Sequence, residues 1–185
     1  PLFGIAVALL PLQLLWLNPL TDGLLGLGLG LESAEPNTMK QPPRSPKAGF
    51  FSRELTLHIT WIGALIGLVA LGVGIFYFDP VNPEDKAWQT MIFTTIAFLQ
   101  IGQALASRST SVSLFSLGVS TNWFIFLMVF LVLGLQLMVL YTPALEAVFD
   151  INPLSASDLG ICAALGSIAF IAMEVEKWIK RRIKR

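Results

Sequence analysis

Charged side chains are scarce in this sequence. Asp, Glu, Lys and Arg together make up 13% of the 185 residues, and the formal net charge is zero. Because binding to nucleic acid relies on an excess of Lys and Arg, nucleic acid is not expected as a partner. The single cysteine, Cys162, excludes an intrachain disulfide. It lies in an apolar run, where packing between helices is its expected role.

Apolar residues are abundant instead. They make up 55% of the chain, and the mean hydropathy is +0.72, a composition typical of a polytopic membrane protein. No cleavable signal peptide is evident, because the chain begins at Pro1 without a methionine or a basic segment before its first apolar run. We therefore expect a piece of a longer membrane protein.

Five apolar segments are long enough to cross a bilayer. They are predicted at residues 12–31, 55–78, 87–107, 122–141 and 158–175. Residues 32–54 form a polar loop with four prolines, and residues 176–185 form a basic tail that is expected to lie at an anionic membrane surface. The sequence therefore predicts an all-α membrane protein, a bundle of five transmembrane helices within a single domain.

The basic residues predict how these helices are oriented. The 32–54 loop, Arg108 and the tail lie on one side and hold eleven of the twelve Lys and Arg residues, whereas Lys86 lies on the other side. Because basic residues concentrate on the cytoplasmic side, we expect a cytoplasmic C-terminus and an N-terminus outside. In the absence of another targeting motif, the plasma (inner) membrane is the expected location.

Small residues recur at a spacing of four in three of the spans. The pairs are Gly26/Gly30, Gly63/Gly67 and Gly160/Ala164. Such pairs let another helix approach closely in a membrane, so a neighbouring helix is expected at each of them. In an isolated chain, the same faces could support dimerisation.

The first span carries an acid in its middle. Asn18, Thr21 and Asp22 stand at i, i+3 and i+4, so they share one face of a helix. Pro19 lies among them, and because it has no N–H and its ring clashes with the preceding turn, the helix is predicted to be broken there. An unpaired acid at this depth costs about 2.5–3.5 kcal/mol on insertion scales, so it normally has a function.

Two interpretations of this acid are open. Carboxylate, amide, hydroxyl and freed main-chain oxygens are the ligands that Ca²⁺ takes, and a broken helix that carries them is typical of an ion site in a transporter. Alternatively, Asp22 is a structural acid that pairs with a basic or amide group elsewhere in the bundle. Gln100 lies deep in the third span, where it either faces the same cavity as Asp22 or bonds to another helix.

Several motifs resemble those of one family. LLWLNPLTDG, residues 14–23, resembles the sixth membrane helix of P-type cation pumps, whose calcium-pump members read close to LLWVNLVTDG. PNTMKQPPRSPK, residues 36–47, resembles the loop that follows that helix, D-x-M-x-R-P-P-R-x-P. FLQIGQALASRS, residues 98–109, and EVEKWIKRR, residues 174–182, resemble the eighth helix and the end of the tenth. The resemblance implies the sixth to tenth membrane helices of a calcium-type P-type ATPase.

This resemblance implies a metal site for the transported ion. Asn18, Thr21 and Asp22 match the residues that bind the ion in the family, and Gln100 matches a glutamate that contributes to one site in two-calcium pumps. Because glutamine removes one negative charge, a single Ca²⁺ site is implied, although another cation stays open. Pro19 replaces an aliphatic residue of the usual motif, which is expected to unwind the helix more strongly. Asp22 would take up a proton after the ion is released.

Other parts of the family's machinery are missing from this sequence. It has no DKTG phosphorylation motif and no nucleotide-binding or actuator sequence. The chain alone is therefore expected to be inactive, with ATP and Mg²⁺ bound by other domains of the parent pump. Its expected partners are the lipid bilayer and the remaining helices and cytoplasmic domains of that pump.

Two rival functions stay in view. One is a non-enzymatic membrane scaffold or a subunit of another transporter. The other is a secondary carrier driven by protons or sodium, which would require an inverted repeat, and none is visible in this sequence.

Overall fold

The computed structural model describes residues 7–33, 53–82, 85–109 and 112–183, except for the side chains of residues 20–22, 54, 115, 119 and 120. Within these residues, all regular structure is helical and no strand is present. The predicted all-α fold is therefore confirmed. Residues 34–52 of the proline-containing loop and the last two residues of the basic tail lie outside the described residues.

The first predicted span is divided into three consecutive elements. α1 covers Pro11–Leu17, a π-helix covers Asn18–Leu25, and α2 covers Gly26–Gly30. The widened turns begin directly before Pro19, which cannot donate the usual main-chain hydrogen bond and crowds the carbonyl four residues earlier. The predicted break near Pro19 is confirmed, and it takes the form of a π-helix, a rare element that is frequent at functional sites.

Four long helices follow, and each overlaps one predicted span. α3 covers Arg53–Tyr77, α4 covers Ala87–Ala106, α6 covers Trp123–Tyr141, and α8 covers Ala156–Ile183. α8 continues through most of the predicted basic tail. Among the described residues, α3, α6 and α8 are the three helices that are long and apolar enough to cross a membrane.

Two connectors contain short helices that the sequence did not predict. The connector before α6 contains α5, Leu114–Leu117, and a 3₁₀-helix, Val119–Asn122. The connector before α8 contains α7, Pro143–Phe149, with proline at its first position. A proline there is favourable because the first N–H groups of a helix have no partner within it.

α4 is the central helix of the bundle. Fourteen of its 20 residues are buried, and it contacts α3, α6, α8 and the π-helix. Threonine and glutamine are common along it, in contrast to the apolar surfaces of α3 and α6. A polar helix surrounded by apolar ones places its hydrogen-bonding groups away from lipid, which agrees with the way polar residues are used inside membranes.

α4 and α8 cross at two glycines. A Cβ atom at Gly102 would lie 2.7 Å from the carbonyl oxygen of Gly166, and one at Gly166 would lie 2.9 Å from the main-chain carbonyl carbon of Phe98. Beside this crossing, Thr95 Oγ1 donates to Cys162 Sγ at 3.4 Å, with both residues fully buried. The expected packing role of Cys162 is confirmed.

The glycine pairs singled out in the sequence do not mark these contacts. Among the described residues, no atom lies within 4 Å of a Cβ built at Gly26, Gly30, Gly63, Gly67 or Gly160. The expected close approach at these pairs is therefore wrong for the helices described here.

Candidate cation site

The π-helix contains the whole NPLTDG sequence. Asn18 and Pro19 are exposed at its start. The main chain of Thr21 and Asp22 belongs to the same π-helix, while their side chains lie outside the described part of the structure. Three of the four predicted site residues are thus carried by one short element with widened turns.

α4 runs alongside the π-helix. Leu17, directly before it, packs in one cluster with Phe93 and Ala97 of α4. Leu25, at its end, packs in a second cluster with Ile101 and Ala104 of α4. The part of α4 between residues 93 and 104 therefore lies against the segment that contains NPLTDG.

Gln100 belongs to this face of α4. Phe93, Ala97, Gln100 and Ala104 are spaced by four, three and four residues, which places them on one stripe of an α-helix. The side-chain oxygen of Gln100, Oε1, is buried and has no hydrogen-bond partner among the described residues. More than nine in ten buried polar groups are normally paired, so an unpaired acceptor inside the bundle is unusual.

The segments on either side of the π-helix are hydrogen-bonded to α6 and to its N-cap residue, Asn122. Before it, Trp16 Nε1 donates to Gln136 Oε1 at 3.3 Å. After it, Asn122 Nδ2 donates to the carbonyl oxygen of Gly28 at 3.0 Å. The main chains pack closely here, since a Cβ at Gly28 would lie 3.1 Å from the Cα of Ile125. The widened turns of the π-helix therefore lie between two hydrogen-bonded positions, Trp16 and Gly28.

The described residues contain no group of three or more His, Cys, Asp and Glu side chains that could hold a metal ion. The four predicted site residues offer two amides, one hydroxyl and one carboxylate, and such oxygen groups are hard ligands of the type that Ca²⁺ accepts.

Comparisons with known proteins identify the family. A family model described as "Cation transporting ATPase, C-terminus" matches residues 6–179. The chain belongs to the cation-transporting P-type ATPases. The resemblance carried by NPLTDG and PPRSP is thereby confirmed, and this ATPase chain corresponds to the family's C-terminal membrane portion.

Calcium-transporting ATPases are among the similar proteins. Calcium-transporting ATPase 1 of Bacillus cereus is 29% identical over 97% of this ATPase chain and 22% of its own length. Calcium-transporting ATPase of Bacillus subtilis is 32% identical over 90% of the chain and 19% of its own length. Human calcium-transporting ATPase type 2C member 2 is 34% identical over 95% of the chain and 18% of its own length. The ATPase chain spans about a fifth of the length of these relatives.

One cluster of functional interest escaped the sequence reasoning. Arg108 Nε lies 2.8 Å from Glu32 Oε2, and Arg108 Nη2 lies 2.9 Å from Glu32 Oε1. The hydrogen bond from Arg108 is the main cause that holds the pKa of the Glu32 carboxyl below its usual range. Two features of the sequence could have pointed to this ion pair. Arg108 is an isolated arginine in a Ser/Thr-rich connector, and Glu32 is the first acid after a span, 76 residues away.

Proposed function

We propose that this chain forms the membrane part of an ATP-driven cation pump and contributes the intramembrane site for Ca²⁺, the transported substrate. Asn18, Thr21 and Asp22 from the π-helix and Gln100 from α4 are the proposed ligands. The observation that carries the proposal is the buried, unpartnered Oε1 of Gln100 on the face of α4 that packs along the π-helix.

The chemistry of these four side chains suits a single Ca²⁺ ion. Asp22 supplies a negative charge, and the other three supply neutral oxygens. Because Ca²⁺ takes 6–8 oxygen ligands, further donors are required. Main-chain carbonyls of the π-helix and side chains of other helices in the parent pump are the proposed sources. A glutamine at residue 100 adds an oxygen ligand without adding a negative charge.

The choice of Ca²⁺ is supported by the relatives. Those reported above from Bacillus and from human are named as calcium-transporting ATPases. In the parent pump, ATP with Mg²⁺ would drive phosphorylation of an aspartate in another domain. That step would switch the bundle between a state that takes the ion from the cytoplasm and a state that releases it outside. Protonation of Asp22 after release would limit the cost of an empty buried acid.

The experiment is ATP-dependent uptake of radioactive Ca²⁺ into vesicles that contain the full-length parent, compared with its Asp22→Asn variant. Asp79→Asn is the matched control, because Asp79 is exposed and bonds to its sequence neighbours Val81 and Asn82. We expect uptake to be lost in Asp22→Asn and retained in Asp79→Asn. Full uptake by Asp22→Asn would refute the assignment of the site.

Two further outcomes have defined meanings. If ATP hydrolysis by the parent is stimulated by another cation and not by Ca²⁺, the assignment as a cation pump is retained and that cation replaces Ca²⁺ as the proposed substrate. If no cation is transported with ATP, the pump is refuted for this chain and a non-enzymatic membrane scaffold or transporter subunit takes its place.

A further inference from the structure

Three side chains join the end of α2 to the ends of α4 and α6. We call Glu32, Arg108 and Asn122 the clamp. Arg108 binds both carboxylate oxygens of Glu32, at 2.8 and 2.9 Å. Asn122 Nδ2 donates to Glu32 Oε2 at 2.8 Å, so the same carboxylate accepts from two other segments.

The ion pair of the clamp is almost completely buried from solvent. The Arg108 side chain is fully buried and that of Glu32 is 12% exposed. The Arg108 guanidinium also donates to Thr121 Oγ1 at 2.7 Å and lies 5.6 Å from the ring centre of Phe126. Because a bidentate pair between a planar guanidinium and a carboxylate tolerates little displacement, it fixes geometry as well as charge.

Asn122 extends the clamp to the start of α6. Its Oδ1 accepts the main-chain N–H of Ile125 at 3.2 Å, which caps the first turn of α6. Its Nδ2 also donates to the carbonyl oxygen of Gly28 in α2. One amide thus ties the helix that follows the π-helix to the first turn of α6.

The clamp lies on the same two segments as the proposed cation ligands. Arg108 follows α4 directly after its C-cap residue, Ser107, and α4 carries Gln100. Glu32 follows α2 closely, and α2 continues the π-helix. A slip of α4 along the π-helix would change the distance between Gln100 and the π-helix ligands, and it would have to break the Arg108–Glu32 pair first.

We propose that Arg108 is a positioning residue for the cation site, which acts through Glu32 to fix the depth of Gln100 relative to the π-helix. This inference rests on the proposed function. Groups that orient metal ligands without touching the metal typically change metal affinity about 10- to 100-fold when they are lost. Arg108 is therefore a determinant of cation affinity, although it does not contact the ion.

The test measures Ca²⁺-dependent ATPase activity of the full-length parent in vesicles, with half-saturating Ca²⁺ and maximal rate determined separately. We expect Arg108→Gln to raise half-saturating Ca²⁺ about tenfold and to change the maximal rate less than twofold. The matched control is Arg182→Gln, since Arg182 is exposed and lies 5.1 Å from the ring centre of the exposed Trp178. It should leave both quantities unchanged.

A double-mutant cycle links Arg108 to its target. If Arg108 acts through Gln100, adding Arg108→Gln to Gln100→Ala should raise half-saturating Ca²⁺ little further, because the ligand to be positioned is already gone. Independent, multiplying effects of the two changes would overturn the inference. A lower thermal midpoint with unchanged Ca²⁺ affinity would also overturn it, because Arg108 would then be only structural.

A second variant keeps the test decisive if Arg108→Gln fails to fold. Arg108→Lys retains the charge and loses the two-pronged contact, so a several-fold rise in half-saturating Ca²⁺ is expected, whereas unchanged affinity would overturn the role of the bidentate pair. Failure of the proposed function has a different signature: Asp22→Asn and Gln100→Ala would both leave Ca²⁺ activation unchanged.

Discussion

Lys177 of α8 caps the end of α4. Its ammonium nitrogen lies 2.6 Å from the carbonyl oxygen of Ala106 and 2.8 Å from Glu174 Oε1. Carbonyls in the last turn of a helix lack partners within it, and the helix dipole makes this end favourable for a cation. The sequence placed this lysine in a tail at the membrane surface, yet only 6% of it is exposed.

We expect Lys177→Met to destabilise the protein by about 1.5–3 kcal/mol, because a buried carboxylate and a helix-terminal carbonyl both lose a charged donor. Lys180→Met is the control. Lys180 pairs with Glu176 at 2.7 Å but is 38% exposed, and such pairs contribute about 0.3–0.5 kcal/mol. Thermal denaturation in lipid nanodiscs measures both. Equal shifts of the two midpoints would contradict the capping role of Lys177.

The glycine crossing of α4 and α8 gives a second prediction. Gly166→Ala should destabilise the protein by about 1–3 kcal/mol, since the added methyl group would collide with Phe98 of α4. In the same helix, Gly160→Ala meets no atom within 4 Å and should be neutral or stabilising by up to about 1 kcal/mol. Thermal midpoints of the two variants in the same nanodiscs provide the comparison. A stable Gly166→Ala protein would mean that the helices are not in close contact there.

Gln100→Leu should change stability and function in opposite directions. Removing a buried acceptor that has no partner is expected to stabilise the protein by about 1 kcal/mol. The same change should weaken Ca²⁺ activation of the full-length pump about tenfold, because a proposed ligand is lost. Thermal midpoint and half-saturating Ca²⁺ are measured on one preparation.

The control for that prediction is Gln136→Leu. Gln136 Oε1 accepts from Trp16 Nε1, although its own Nε2 has no partner among the described residues. Its replacement should lower stability because the Trp16 N–H loses its acceptor. If Gln100→Leu also lowers stability and leaves Ca²⁺ activation intact, Gln100 is a structural residue.

The ion pair of Glu32 makes stability depend on pH. The pKa of Glu32 is lowered in the folded protein by its bond to Arg108, so the carboxylate form is favoured by folding. Its contribution is present above the unfolded pKa of about 4.3 and is lost as the pH falls through the lower, folded value. The difference in thermal midpoint between the wild type and Glu32→Gln should be constant above about pH 5 and shrink at more acidic pH. A difference that grows on acidification would contradict this sign.

Local signals in the sequence predicted the long helices and the break at Pro19. Each depends on a few neighbouring residues: an apolar run for a helix, and a residue without an N–H for the break. The depth of Gln100 in its span followed from the same pattern. Its free oxygen did not, because pairing depends on which other side chains reach it in the folded bundle.

Long-range contacts could not be predicted from the sequence either, because they depend on which residues meet in the folded bundle. The spacing of Gly26 and Gly30 indicates a smooth helix face but does not say which helix, if any, covers it. Gly102 and Gly166 carry the close crossing although neither belongs to the pairs singled out in the sequence. Glu32 and Arg108 are 76 residues apart, and nothing in either local sequence points to the other. Such partners are selected by the tertiary arrangement.

The length of α8 has a mechanical consequence for the site. Its 28 residues extend about 42 Å, whereas the hydrocarbon core of a bilayer is about 30 Å thick. The helix must therefore tilt, extend into the headgroup region, or do both, in proportions that depend on the lipid. Because α4 and α8 pack directly against each other at Gly102 and Gly166, a change in that tilt is expected to move Gln100 with it. If Gln100 is a cation ligand as proposed, acyl-chain length is expected to shift cation affinity through the crossing of these two helices.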